Sequence, residues 1–326
     1  KSGIIPCTIF CDTLKDERKN KEKVLKQGST RVFCASPVDY TIATRQNLLH
    51  FCAAFMKSRL NINHAVGINA KGPEWTELYN RLTSISPHNI VMMDYSNFGP
   101  AFNAVVAEAA AEIMVKWTLK YVDEVDEVEL RALLMECINS VHIANSTVYR
   151  QFAGSPSGSA ITTIINTIVN ILYIFIVWYA LAGEEALKLH TDIFYVFTKH
   201  VYVATYGDDF IMSVSDHFKN IFNTNTIRNY LAKFKIVATS AEKDQVEVPD
   251  FVNITQAKFL KRGFKPHPTR KSYVLGPLEA EVVEEIPKWI WETADKKMAT
   301  RVNVESALLE AHGHGKEYFI HMKDKW

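Results

Sequence analysis

Residues 151–183 contain no charged side chain. A run of that length restricts a chain to two outcomes: a membrane span, or a helix buried inside a protein. The order of residues within the run favours the second. Its first part, Gly154-Ser155-Pro156-Ser157-Gly158-Ser159, is loop chemistry. Thr162, Asn166 and Asn170 then recur at i, i+4 and i+8, drawing one polar stripe along a helix. The wholly apolar remainder, residues 171–182, is too short to cross a bilayer of about 30 Å. No transmembrane span is expected, and the segment reads as a buried core helix with one functional face.

A second feature lies just downstream. Tyr206-Gly207-Asp208-Asp209 sits between two β-rich apolar runs at 201–205 and 210–214. That pattern reads as a hairpin whose tight turn carries adjacent carboxylates. Adjacent carboxylates repel unless water screens them or a cation sits between them, and Mg²⁺ shared with phosphate oxygens is one solution. Asp and Gly are also ordinary turn residues. A Gly-Asp-Asp triplet arises by chance in roughly one chain in fifteen of this length. The turn alone therefore decides nothing.

Residues 89–94 are an apolar run ending in Asp94, read as a buried strand. If that strand and the hairpin share a sheet, Asp94, Asp208 and Asp209 meet at one edge. Two divalent ions held there would activate an attacking hydroxyl and stabilise a leaving pyrophosphate. Phosphoryl transfer asks for little more than positioning and charge neutralisation. Carboxylate pairs serve other phosphotransferases and nucleases too, so the inference gives a reaction class only. The loop and helix Ser157-Gly158-x3-Thr162-x3-Asn166 add groups suited to a ribose, whose 2′-hydroxyl both donates and accepts hydrogen bonds. A capped helix with internally satisfied polar residues would present the same sequence.

Charge supports an anionic ligand locally rather than globally. The 326-residue chain carries a formal net charge of +1. Residues 1–31 nevertheless hold eight Lys/Arg against four Asp/Glu, and residues 257–278 hold six Lys/Arg and no acid. Two basic segments could flank an anion. The five cysteines (Cys7, Cys11, Cys34, Cys52, Cys137) are odd in number and lack a second close pair, arguing against a disulfide framework or a four-Cys zinc site. Free thiols fit a reducing compartment. The chain opens Lys-Ser-Gly with no signal pattern, so it is expected to begin inside a longer product. His312 and His314 are spaced like ligands but have no third ligand nearby, and read as an exposed turn.

In order, Asp94-Tyr-Ser-Asn-Phe, Pro156-Ser157-Gly158-x3-Thr162-x3-Asn166, Tyr206-Gly207-Asp208-Asp209 and Phe259-Leu260-Lys261-Arg262 resemble the RNA-dependent RNA polymerase of picorna-like positive-strand RNA viruses. The block that continues to Gly99-Pro100 suggests an insect virus of the iflavirus type. The resemblance covers nearly the whole chain. It implies an α+β right-hand polymerase of fingers, palm and thumb, with an antiparallel palm sheet flanked by helices. The implied divisions are 1–62 for an N-terminal, truncated part of the fingers, 63–100 and 156–264 for the palm, 101–155 for a fingers insertion, and 265–326 for the thumb.

The resemblance also implies roles. Asp94 and Asp208 match the metal-binding carboxylates for two Mg²⁺ ions, with Mn²⁺ as a substitute, and Asp209 is a supporting third. Ser157, Gly158, Thr162 and Asn166 match the ribose-sensing positions. Lys243 matches a lysine proposed to protonate the leaving pyrophosphate. Lys15, Lys23 and Arg31 match the basic motif gripping the triphosphate, a task that suits Arg. Lys261 and Arg262 match a primer grip facing nucleic-acid phosphate. The implied partners are RNA template and primer, nucleoside triphosphates, a small viral protein primer and other viral replication proteins. The implied location is host cytoplasm, at a membrane-associated replication complex.

Two departures stand out. Many relatives carry a second Asp five residues after the first; here that position is Gly99. Ribose selection is then expected from Asn166 with Ser157, helped by a water in the space beside Gly99. Some relatives also have a Lys two residues before the Arg, where this chain has Ser29, with Lys26 nearby. Two other readings are weighed. A reverse transcriptase shares a palm and an Asp-Asp turn, but Gly207 and the Ser-Gly-x3-Thr-x3-Asn helix argue against it. A non-catalytic RNA-binding or membrane scaffold would use residues 151–183 for insertion and the basic runs for lipid or RNA.

Overall fold

The computed structural model describes residues 7–17, 19, 21–96, 98–99, 102–240 and 248–326. Strand β1 (Ile9–Leu14), helix α1 (Lys21–Val24) and strand β2 (Val32–Ala35) come first. β1 and β2 pair antiparallel with Asp12 opposite Cys34. Helices α2 (Val38–Lys57) and α3 (Pro73–Ile85) lead to strand β3 (Ile90–Tyr95), which carries Asp94. Helices α4 (Ala104–Tyr121) and α5 (Glu127–Ile138) follow. Asn103 and Asp126 start them, each side chain accepting two backbone N–H groups of the first turn. The hairpin of β4 (Val141–Ala144) and β5 (Thr147–Arg150) then returns to the beginning of the chain. β4 lies parallel to β1, giving a four-stranded sheet in the order β2-β1-β4-β5.

The uncharged run becomes a loop followed by helix α6 (Thr162–Leu189), 28 residues long. By length and composition this helix could cross a membrane, although its wholly apolar part is confined to residues 171–182. Packing is the stronger argument for a core helix. Trp178 is fully buried and its ring meets Phe197, Phe218 and Phe222. Helix α7 (Ile193–His200) leads into a hairpin of β6 (Val201–Tyr206) and β7 (Asp209–Val214), then helix α8 (Thr224–Ala232) and strand β8 (Ala238–Ser240).

These strands form a second, wholly antiparallel sheet in the order β6-β7-β3-β8. Period-two alternation divides its side chains between two cores. Val91, Met93, Phe210, Met212 and Val214 join the large core with α4, α6 and α8. Ile90, Ala204 and Ile211 join the opposite core, where α3 supplies Trp75, Leu78 and Leu82. The sheet is thus an antiparallel layer flanked by helices, as expected for an α+β chain. The remainder is a two-stranded ribbon of β9 (Lys265–Pro266) and β10 (Val274–Leu275), then helices α9 (Ala280–Glu285), α10 (Lys296–Ala311) and α11 (Lys316–Lys325). Their small core holds Val283, Ala307, Ala311 and Met322.

Candidate active site

Tyr206 pairs with Asp209, leaving Gly207 and Asp208 as a two-residue turn. Gly207 has φ +63° with nothing within 4 Å of an added Cβ, so the backbone conformation, not crowding, selects glycine there. Helix α6 holds this turn through two side chains. Asn170 Nδ2 donates to the carbonyls of Gly207 and Asp208, both at 3.0 Å. Thr167 Oγ1 accepts the Gly207 N–H at 2.8 Å. The Tyr95 hydroxyl donates to Asn170 Oδ1 at 3.2 Å, tying β3 into the same network. Asn170 was legible in the polar stripe; Thr167 was missed, because it lies off the i, i+4 row among apolar residues.

The antiparallel register pairs Met92 with Ile211 and Met93 with Phe210. One residue further, it brings Asp94 level with Asp209. The electrostatics agree with that juxtaposition. Burial pushes the Asp209 carboxyl up to about 6, the charges of Asp208 and Asp94 add to the effect, and Lys261 opposes it. Asp208 is exposed at the turn, yet the protein around it still raises its carboxyl above the ordinary range. The charge of Asp94 adds to that rise and Arg31 opposes it. Two cations from distant parts of the chain, Arg31 and Lys261, therefore sense the aspartate cluster.

Arg31 follows the short helix α1, whose backbone includes Lys23. Its guanidinium binds Glu17 through Nε at 2.8 and 3.1 Å and through Nη2, while its carbonyl accepts the Lys15 N–H at 2.9 Å. Arg31 and then Lys19 hold the Glu17 carboxyl down at about 2. The Arg31 side chain still exposes 69% of its surface. Lys243 lies outside the described residues.

The loop before α6 behaves differently from the expectation. Ser157 Oγ accepts the Cys34 N–H at 3.1 Å, so this hydroxyl is engaged with β2. Gly158 forms a bridge with Ala35, and an added Cβ would sit 2.3 Å from the Cys34 carbonyl oxygen. Its missing side chain accommodates a protein strand rather than a ligand. Thr162 Oγ1 donates to the carbonyls of Pro156 (2.6 Å) and Ser159 (3.0 Å), tying the start of α6 to the preceding loop. Of these four positions, Asn166 is the one with a buried polar atom left without a partner, its Oδ1.

At the expected primer grip, Phe259 and Arg262 bridge across a tight turn whose Leu260 and Lys261 have φ of 53° and 60°. Phe259 stacks on Trp75 of α3. Lys261 is the residue turned to the aspartates electrostatically. Arg262 is engaged inside the protein. It makes a two-pronged ion pair with Glu310 of α10 at 2.8 and 3.0 Å and donates to the Gly276 carbonyl, and only 16% of its side chain is exposed. It links the turn to the C-terminal helices instead of offering itself to phosphate. His314 likewise has a protein partner, the Leu278 carbonyl at 2.6 Å.

A further cluster was not foreseen. Asp12, Cys34 and His142 have ligand atoms all within 4.8 Å of one another, on neighbouring strands of the first sheet. His142 Nδ1 meets Asp12 at 2.9 Å, His142 Nε2 meets Ser140 at 2.7 Å, and Tyr149 donates to Asp12. Burial and then Asp12 push the Cys34 thiol up to about 11. Each polar group already has a protein partner, so the cluster acts as a hydrogen-bonded staple across β1, β2, β4 and β5.

A family model described as viral RNA-dependent RNA polymerase matches residues 6–325. The chain is 38% identical over 99% of its length to the genome polyprotein of Deformed wing virus, of which it covers 11%. It is 32% identical over 100% of its length to the replicase polyprotein of Acute bee paralysis virus (strain Rothamsted), covering 17% of that protein. The chain thus spans only a small part of the polyproteins it matches. Among solved structures, the Sicinivirus 3Dpol RNA dependent RNA polymerase superposes with a TM-score of 0.78 at 21% identity, covering 98% of this chain and 62% of that one. The likeness establishes the right-hand polymerase fold. With the model match running through the Asp94 strand, the α6 helix and the 206–209 turn, the chain belongs to the viral RNA-dependent RNA polymerase family.

Proposed function

We propose that this chain carries out template-directed RNA synthesis from nucleoside triphosphates, replicating a viral RNA genome. The observation that carries the reading is the register that sets Asp94 level with Asp209 beside the Asp208 turn, with all three charges coupled. Like charges crowded at one sheet edge are costly unless a cation offsets them. Their hard oxygen donors fit Mg²⁺, and Mn²⁺ as a substitute. Asp94 and Asp208 would hold two such ions, with Asp209 supporting. The ions, when bound, supply charge neutralisation to the attacking and leaving oxygens.

The remaining roles fall to the chain's own residues. The primer 3′-hydroxyl attacks the α-phosphorus, forming one P–O bond as the bond to pyrophosphate breaks. Arg31, with Lys15 and Lys23 on the same basic arm, binds the triphosphate; its exposed guanidinium has donors left beyond those on Glu17. Lys243, by the family resemblance, protonates the pyrophosphate. Lys261 contacts the RNA backbone near the aspartates. Asn166 reads the sugar, and Ser157, Gly158 and Thr162 shape the loop that presents it. We read residues 1–62 and 101–155 as fingers, 63–100 and 156–264 as palm, and 265–326 as thumb. The sheet shared by β1, β2, β4 and β5 supports grouping the first and third segments. The setting would be host cytoplasm, with other viral replication proteins and a small protein primer as partners.

The test is primer extension on an RNA template with ribo- and deoxynucleotides. Wild type should extend with ribonucleotides, and Asp208→Ala should abolish extension while RNA binding persists. Preferential deoxynucleotide incorporation would favour a reverse transcriptase. No synthesis together with stable insertion into vesicles would favour a scaffold.

A further inference from the structure

Among the described residues, four buried side-chain polar atoms lack any hydrogen-bond partner, and two of them, Ser155 Oγ and Asn166 Oδ1, belong to residues that border Gly99. The Ser155 N–H donates to the Gly99 carbonyl at 3.2 Å. A Cβ added to Gly99 would lie 3.5 Å from the Ser155 carbonyl oxygen and 4.0 Å from Asn166 Nδ2. Those are ordinary contacts, so the position has room for about one methyl group. Ser155 is 7% exposed. Leaving its hydroxyl unpartnered costs stability unless something arrives to bond it.

Asn166 lies one turn before Asn170, on the same face of α6, and Asn170 holds the Gly207–Asp208 turn. Asn166 therefore lies one helical turn from the residue that holds the Asp208 turn, and Ser155 borders it across Gly99. The serine expected to share this task, Ser157, has its hydroxyl engaged by the Cys34 N–H instead.

We infer that Ser155 is a specificity-determining residue: with Asn166 it forms a polar socket beside Gly99 that reads a sugar hydroxyl of the incoming nucleotide, where a side chain at position 99 is absent. The inference rests on the polymerase reading above. A ribonucleotide satisfies the socket. A 2′-deoxynucleotide leaves its polar atoms stranded, which is how a buried hydrogen-bonding site rejects an analogue lacking a hydroxyl.

The test measures kcat and KM for a ribonucleotide and its 2′-deoxy analogue with wild type, Ser155→Ala, Ser155→Thr and Gly99→Ala. Ser155→Ala should lower the ribo/deoxy ratio of kcat/KM about tenfold, the worth of one such bond. The loss should fall on the ribonucleotide alone. Its melting temperature should hold or rise, since an unpartnered buried hydroxyl is removed; a merely structural serine would move stability and leave the ratio alone. Ser155→Thr keeps the hydroxyl and should recover part of the ratio. Gly99→Ala, whose methyl fits, should fold and also lower the ratio. If wild type extends primers and folded Ser155→Ala discriminates as wild type does, this inference fails and the polymerase reading stands. If wild type extends nothing with either sugar, the polymerase reading fails and takes the inference with it.

Discussion

Replacing Asn170 with Ala tests whether α6 fixes the aspartate turn. Asn170 is fully buried and makes three hydrogen bonds: two to the Gly207 and Asp208 carbonyls at 3.0 Å and one from the Tyr95 hydroxyl at 3.2 Å. Each is worth about 1 kcal/mol net, and a buried group left without a partner costs about 1–3 kcal/mol. The Tyr95 hydroxyl has no water to turn to, since Tyr95 is 6% exposed. The two turn carbonyls lie nearer solvent, so their loss falls at the low end. The sum is roughly 3 kcal/mol, a large share of a typical domain's stability.

Urea denaturation of wild type, Asn170→Ala, Tyr95→Phe and the double variant would measure this. The double variant should recover about 1 kcal/mol relative to additivity, because removing Tyr95's hydroxyl leaves one fewer stranded group. Amide exchange at Gly207 should accelerate in Asn170→Ala, although its own acceptor, Thr167 Oγ1, is intact. Primer extension should fall by more than tenfold under conditions where the variant is folded. A loss below about 1 kcal/mol with unchanged extension would refute the claim that the helix positions the turn.

Other outcomes follow from the same geometry. Asp209→Asn should stabilise the metal-free protein at pH 7. The Asp209 carboxyl is raised to about 6, so the folded state pays for its ionisation as pH climbs from about 4 to 6, and the gain from Asn should vanish as pH falls through that window in melts with EDTA. Glu310→Gln should lower stability by about 2–4 kcal/mol in chemical denaturation by stranding Arg262, and Arg262→Met with Glu310→Leu should recover much of it. Gly158→Ala should lower the melting temperature and slow extension, because its methyl would sit 2.3 Å from the Cys34 carbonyl oxygen, a backbone atom that cannot swing aside.

The parts legible in sequence were those written in local patterns. Short apolar runs ending at Asp94 and on both sides of Gly207-Asp208 specified strands. The stripe Thr162, Asn166, Asn170 specified a helix face. What each polar group on that face does was not legible, because the partners come from elsewhere. Thr162 serves the Pro156 carbonyl, and Ser157 serves Cys34 on a strand more than a hundred residues earlier. Arg262 looked like a phosphate ligand because Glu310 is distant in sequence and unmarked by any motif. The Asp12–Cys34–His142 staple was invisible for the same reason: its members come from β1, β2 and β4, joined only by the return of the 141–150 hairpin.

The absence of charge from α6 up to Gly183 follows from its work at the aspartate turn. A helix that aims an amide and a hydroxyl at a turn can fix that turn only where water does not compete for the same carbonyls and N–H. Exclusion of water requires apolar neighbours around that face of the helix, and α6 packs against α4, α7, α8 and β6. The same dryness raises the carboxyl of Asp209, whose repulsion from Asp208 and Asp94 is only partly offset by Lys261. Apolar burial thus has two consequences at once. It fixes where the carboxylates sit, and it leaves their mutual repulsion poorly screened, with Arg31 and Lys261 opposing it. A polar substitution on α6 facing the turn should therefore weaken both positioning and cation affinity together, whereas one on its far side should weaken neither.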